Sequence, residues 1–447
     1  MPDNRRDILS IGIAILFFTF IILLGISKFS SQMLPLIFLL VPIIFIITFV
    51  NTDVALIILI FSMLLSPELQ IAQVPARSVV VRIDDILIIV VFFSWLAKMA
   101  INKELGLLKR TPLNSLIVTY ILVFVLSTGI GILTGHIKPL KSFFYILKYA
   151  EYFMLFFLVI NNIRDKKQIK TFIVVFLITC VLTSIYALAT VGAIGRATAP
   201  FEGPAGEANT LGGYLVLLFA IVAGLFLYSP SKKWLFWCGG LTFLIILTLM
   251  QTLSRGSYLG VIFVYLTLTI LTRRRRLLLI GMLILSIVIL PVIVPTKVVN
   301  RIKNTFTVGE VYEPLGRRIV LDQSTALRIE SWRKTLKLWT HRPFLGYGVS
   351  GVGLVDTQFP LILGETGIIG FLVFMWLIMI IFRFSLYTFN TIEDDWSRGL
   401  SLGFLAGLVG LLIHSFSANT FIIVRIMEPF WFLTAIIMML PSVQEET

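Results

Sequence analysis

The side chains best suited to chemistry in this chain are arginines and carboxylates placed where a lipid environment should begin. The stretch "LMQTLSRGSYLGV" (249–261) sets Arg255 between two apolar runs, "WLFWCGGLTFLIILTLMQTL" before it and "SYLGVIFVYLTLTI" after it. One helix over 234–271 would be about 57 Å long at about 1.5 Å per residue. A bilayer core is only about 30 Å thick. The chain is therefore expected to turn near Arg255 and to hold this permanent cation at one membrane face. There its planar fork suits phosphate, because it can meet two oxygens at once.

Other ionisable groups fall near the same level. "STALRIESWRKTLKLWTHRPFLGYG" (324–348) places Leu327, Trp332, Leu336 and Trp339 at helical spacing, with Arg328, Arg333, Lys334 and Lys337 between them. That pattern predicts an amphipathic helix lying on or capping the membrane. Arg328 is a second candidate phosphate ligand, whereas Lys334 and Lys337 suit lipid headgroups. "VDTQFPLILGETGIIG" (355–370) follows, with Asp356 and Glu365 at the mouth of an apolar run. Gly367 and Gly370 suit close helix packing. The loop "VGAIGRATAPFEGPAGEANT" (191–210) carries Arg196, and Asn209 or Thr210 is expected to cap the next helix. Asp84, Asp85, Lys148, Glu151, His414, Arg425 and Glu428 sit at the corresponding ends of other apolar runs. Helix-end charge matching and a Lys148–Glu151 pair on one helix face are the plain readings. Their common level points instead to a polar cavity opening on one side.

The elements that must carry these residues follow from composition. Of 447 residues, 58% are hydrophobic and 13% charged, and apolar runs of membrane-spanning length recur throughout. The expected fold is all-α, a polytopic transmembrane bundle of about 12–14 spans in one membrane domain over 1–447. Candidate spans are 8–25, 33–50, 53–65, 84–100, 114–134, 143–160, 168–190, 211–229, 234–251, 257–272, 276–294, 361–383, 397–416 and 421–440. The first reads as a retained signal anchor. Cys180 and Cys238 both lie within spans. The net charge of +14 does not imply nucleic acid, since there is no basic soluble domain to bind it. Placing the N-terminus inside puts Arg5, Arg6, Lys103, Lys109, Arg110, "RDKKQIK", "SKK" and "RRRR" (273–276) in cytoplasmic loops. Both termini are then cytoplasmic, and Arg255 and the long 295–360 loop face outward. That loop holds ten Lys/Arg against five Asp/Glu. Cations kept there against the usual rule suggest an anionic ligand.

Three stretches resemble the O-antigen ligase and polysaccharide polymerase superfamily of bacterial envelopes. "TLSRGSYLG" is similar to the family's T-x-SRG turn. "RIESWRKTLKLWTHRPFLGYGVSG" resembles its R…W…P-x-x-G-x-G segment, and "VDTQFPLILGETGIIG" its HN…L…E-x-G-x-x-G block. A looser match covers "RATAPFEGPAGEANTLGGYL", so the family-like region runs over 196–371. This chain departs from the ligase pattern by carrying Asp356 where ligases typically have histidine. That favours a polymerase or divergent transferase, although His414 could approach the slot in space.

The resemblance implies a bacterial inner-membrane glycosyltransferase acting on the extracytoplasmic face. Its donor would be a polyprenyl-diphosphate-linked oligosaccharide and its acceptor a glycan or glycolipid, with a flippase and chain-length regulator as possible partners. Arg255, Arg328 and Arg196 are the expected diphosphate ligands. Asp356, and after it Glu365, is the expected base, with Asn209, Trp332 and His414 in support. No ligand spacing for a metal appears, so an inverting, metal-independent and cofactor-free transfer is expected. Ligation to a lipid A–core acceptor is the alternative. A secondary transporter is the rival of another class, and it should show midplane charges and inverted repeats.

Overall fold

The computed structural model describes residues 34–445 apart from 75–76, 104–107, 138, 203–205, 230, 294–295, 308–309, 313–318 and 354. The span expected at 8–25 lies outside them. The described residues form fifteen helices: α1 (Leu34–Val50), α2 (Thr52–Leu65), α3 (Ile83–Ile101), α4 (Asn114–Leu133), α5 (Pro139–Asn162), α6 (Lys166–Ile194), α7 (Ala208–Tyr228), α8 (Lys232–Thr252), α9 (Arg255–Leu271), α10 (Arg276–Ile293), α11 (Thr296–Thr307), α12 (Gln323–Trp339), α13 (Gln358–Thr391), α14 (Asp395–His414) and α15 (Val424–Glu445). Two short antiparallel hairpins interrupt the helical pattern. They pair β1 (Glu68–Val74) with β2 (Arg77–Arg82), and β3 (Glu310–Tyr312) with β4 (Ile319–Leu321). Among the described residues, eight helices are long and apolar enough to cross a membrane: α4, α5, α6, α7, α8, α13, α14 and α15. The apolar helices α2, α9 and α10 contribute shorter segments.

Local chemistry sets many of the boundaries. Asn51, Asp165, Ser254 and Asp394 accept hydrogen bonds from the first turns of α2, α6, α9 and α14, satisfying amides that a helix start leaves unpaired. Gly195 ends α6 in the left-handed conformation. The chain turns between α8 and α9 at Leu253 and Ser254, directly before Arg255.

At the centre, α7 packs against α14 through glycines. A Cβ on Gly224 would lie 2.3 Å from the Gly399 carbonyl oxygen, and one on Gly403 2.6 Å from that of Ala220. Lipid offers little hydrophobic drive between helices, so such close backbone approach supplies the packing.

Contacts between loops sort the helix ends into two sets. At one end lie the short basic loops. Lys166 pairs with Asp394 at 2.9 Å, Lys109 Nζ donates to the Ile163 carbonyl at 2.8 Å, and Arg275 Nη1 donates to the Phe226 carbonyl at 2.6 Å. At the other end Asn209 meets Ser254, Arg82 meets Glu428, and Gln358 N donates to the Ser415 carbonyl. The residues that could do chemistry gather at this second end.

Candidate active site

Arg255 opens α9, and its guanidinium grips Asp322 with two parallel bonds, Nη1 to Oδ1 and Nη2 to Oδ2, both 2.9 Å. Nη2 also donates to Ser324 Oγ at 2.6 Å. Asp322 is the residue directly before α12, and Arg301 of α11 stands 4.0 Å from its Oδ2, the oxygen that Arg255 Nη2 also reaches. Burial works to raise the Asp322 carboxyl, but hydrogen bonds from Arg255, Thr325 and Ser324 outweigh it and hold it well below the usual carboxylate range. Neither Asp322 nor Arg301 was among the expected site residues. The signal for Asp322 was present, since "DQST" directly before an amphipathic run is a helix-start pattern.

Arg328 lies further along α12. Burial and the field of Arg255 pull its guanidinium below its ordinary value, while Asp356 and Asp322 oppose this. It stays charged, as arginine does in proteins. Three donors on this helix are buried without a hydrogen-bond partner among the described residues: Arg328 Nε, Ser331 Oγ and Trp332 Nε1. At spacings of three and four they share one helix face. The packed face of α12 therefore differs from the expected apolar stripe. Thr335 is buried against Gly364, while Leu327 and Leu336 are exposed, 56% and 39%. The reason is that α12 lies on α13 through its small and polar residues and turns two leucines outward.

Asp356 is exposed on the short segment before α13. Asn419 Nδ2 donates to the Val355 carbonyl, and the Phe421 amide donates to Gln358 Oε1 at 2.8 Å, so this segment is fixed to the turn after α14. His414 ends α14, directly before that turn. Its imidazole is fully buried, with Nδ1 2.8 Å from Thr420 Oγ1 and Nε2 without a hydrogen-bond partner among the described residues. A Cβ on Gly213 would lie 3.2 Å from His414 Cε1, and one on Gly256 3.4 Å from Cδ2, so glycines of α7 and α9 leave room for the ring. Arg328 is its charged neighbour.

Asn209 does not cap α7, whose N-cap is Glu207. Its Oδ1 instead accepts from Ser254 Oγ at 2.8 Å, and Ser257 Oγ donates to that same Ser254 hydroxyl. Asn209 thus braces the turn that aims Arg255. Arg196 is exposed on its loop and makes no ion pair among the described residues, although Ala197 N anchors the loop to the Gln251 carbonyl at 2.8 Å. That bond keeps the Arg196 loop against the end of α8, four residues before Arg255.

Glu365 is buried in the first turns of α13, and its Oε1 accepts from the Ser350 amide at 2.6 Å. It belongs to a strap that crosses a broken helix. Gly367 has φ 66° and ψ −167°, which interrupts α13. The amides beyond the break turn to the strap, Ile368 N to the Pro343 carbonyl at 2.8 Å and Ile369 N to the Phe344 carbonyl at 3.3 Å. In return Tyr347 N donates to the Gly364 carbonyl and Gly348 N to the Glu365 carbonyl. The "PFLGYG" and "GETGIIG" stretches therefore form one backbone-bonded unit, and Glu365 ties its loop down.

A second charged group is closed on itself. Arg82 Nη2 lies 2.5 Å from Asp84, 3.3 Å from Glu428 and 3.6 Å from Asp85. Lys148 bridges Asp85 and Glu151. The expected outward polar cavity thus resolves into a mouth of arginines and, for these residues, a buried ion-pair network. Burial forces this, since a carboxylate away from water needs a cation beside it. The Asp84, Asp85 and Glu428 carboxylates approach one another within 4.8 Å, close enough to hold a metal ion, but Arg82 Nη2 points into their midst.

Residues 240–375 match a family described as O-Antigen ligase. The match contains Arg255, Arg328, Trp332, Asp356 and Glu365, together with Asp322 and Arg301. No curated protein matches the chain. The chain is a multi-pass membrane protein whose 240–375 region is similar to that family.

Proposed function

We propose that this O-antigen ligase-like membrane enzyme transfers or polymerises glycan repeat units from a polyprenyl-diphosphate carrier on the extracytoplasmic face. The observation that carries the reading is the mouth of α9 and α12. There Arg255 holds Asp322, Arg301 stands 4.0 Å from it, and Arg328, Ser331 and Trp332 on the next helix keep donors unpartnered among the described residues. In Arg255's fork Asp322 occupies the position a phosphate oxygen pair would take. A diphosphate, carrying more charge than one carboxylate, joins or displaces it and draws on Arg328.

The acceptor hydroxyl oxygen attacks the anomeric carbon, and the bond from that carbon to the diphosphate oxygen breaks. The electron pair leaves with the diphosphate, whose growing charge the arginines stabilise in a low-dielectric setting. The hydroxyl proton passes to Asp356, which is exposed and within the field of Arg328. This single displacement inverts the anomeric configuration and routes charge stabilisation through arginines. Asn209 positions Arg255 through Ser254, Glu365 holds the strap, and Arg196 serves as an outer contact for the arriving donor.

Polymerisation is preferred because Asp356 stands where ligases typically carry histidine. The description of the matching family favours ligation as the second reading. A defined donor with a known anomeric linkage tests the mechanism. An inverted linkage in the product, read by NMR, supports single displacement, and retention excludes it. Growth at the lipid-linked reducing end indicates polymerisation, whereas transfer only to a distinct acceptor indicates ligation.

A further inference from the structure

A cavity of about 570 Å³ opens at the end of the bundle opposite the candidate active site. Lys109, Arg110 and Arg164 line its polar side, while Phe384, Met438 and Met439 form an apolar wall from α13 and α15. No carboxylate lines it. Lys109 is fixed by its bond to the Ile163 carbonyl, so its ammonium is held in place rather than swinging in solvent. Arg110 and Arg164 are exposed, and neither forms a salt bridge among the described residues. Asp53, which feels the field of Arg164, is already engaged by Gln168 Nε2 at 2.7 Å.

Three cations beside an apolar wall fit an amphiphile with an anionic head. The volume falls within the range of about 300–1,000 Å³ typical of small-molecule sites. Basic pockets between membrane helices recognise phosphate headgroups, and the surrounding acyl region accommodates the tails. Ordinary surface arginines satisfy the charge rule for loops without a cavity, so the concave volume and the apolar wall are what mark this place. We propose that the cavity binds the phosphate headgroup of an anionic phospholipid, with an acyl chain lying along Phe384, Met438 and Met439. The proposal is independent of the glycosyl-transfer reading, since it concerns the opposite end of the bundle.

The test uses the full-length protein in neutral detergent, titrated with phosphatidylglycerol, phosphatidylcholine or inorganic phosphate. Bound lipid is counted by native mass spectrometry and checked by thermal unfolding. Wild type is expected to bind phosphatidylglycerol saturably, and neither of the other two. Arg110→Ala with Arg164→Ala should weaken that binding by about thirtyfold, roughly fivefold for each cation removed near a membrane surface. Each single variant should show its own share, which keeps the test decisive if the pair is unstable. Lys232→Ala with Lys233→Ala removes the same charge from exposed positions outside the cavity and should leave binding unchanged. Equal loss in that control would overturn the proposal in favour of general surface attraction. Equal binding of phosphatidylcholine would overturn it as well, and so would saturation by inorganic phosphate alone.

Discussion

Replacing Gly367 by alanine tests whether the strap and the broken helix form one unit. The residue sits at φ 66° and ψ −167°, a region essentially reserved for glycine. Holding an alanine there costs about 1–3 kcal/mol. Its Cβ would also lie 2.2 Å from the Phe344 carbonyl oxygen, which is backbone and cannot rotate away. Relief requires the strap to lift, and that breaks the bonds from Ile368 and Ile369 to Pro343 and Phe344, at about 1 kcal/mol each. The total is about 3–5 kcal/mol of local stability. Hydrogen exchange followed by mass spectrometry on a peptide covering 367–370 should therefore speed up by roughly a hundredfold or more. Glycosyl transfer should fall with it, because the strap leads from α12 to the Asp356 segment. Gly239→Ala in α8 is the comparison, since its added methyl meets nothing within 4 Å and its backbone conformation is an ordinary one. If the two variants exchange alike, or if Gly367→Ala exchanges like wild type, the coupling of strap to helix is wrong.

Glu365→Gln separates a brace from a base. The amide oxygen still accepts from Ser350 N, so activity should stay within about tenfold of wild type, whereas Glu365→Ala should lose the strap and most activity. Equal collapse of both in a glycan-transfer assay would make Glu365 a proton acceptor after all. Arg328→Ala should lower the rate by about 10²–10³-fold with normal folding, the effect of removing one preorganised donor from developing charge. An unchanged rate in the same assay would take Arg328 out of the site. The Arg255–Asp322 pair sets a pH expectation. The folded Asp322 carboxyl lies below its unfolded value of about 3.9. Its stabilising effect is therefore complete above that value and lost only as pH falls through the depressed folded one. Unfolding followed from pH 8 to 5 should show no difference between wild type and Asp322→Asn in pH slope. A slope confined to wild type in that window would contradict the assigned pairing.

How much of this was legible in the sequence depends on the distance over which each feature is determined. The spans and the turn before Arg255 follow from local hydropathy and a bilayer's thickness; among the described residues helices lie at the expected spans from 33–50 onward, eight of them long and apolar enough to cross a membrane. Asp322 binds a residue 67 positions away, and no periodicity reports such a pairing. Arg82 has local partners in Asp84 and Asp85, but the Glu428 carboxylate that closes its network lies 346 positions on. The break at Gly367 was masked because "GETGIIG" reads equally well as a packed helix; only the carbonyls of Pro343 and Phe344 make the left-handed conformation necessary. Asn209 shows a local rule losing to a tertiary one. Its side chain is a good cap, yet it is drawn to Ser254 instead.

Glycan extension in proteoliposomes tests the central claim most directly. The donor is a polyprenyl-diphosphate oligosaccharide, EDTA is present throughout, and wild type runs beside Arg255→Ala and Asp356→Asn. The account predicts longer or transferred glycans with wild type, and loss in both variants while their unfolding stays close to wild type. Undiminished activity in Arg255→Ala, or a donor left intact by wild type with every acceptor supplied, would contradict it.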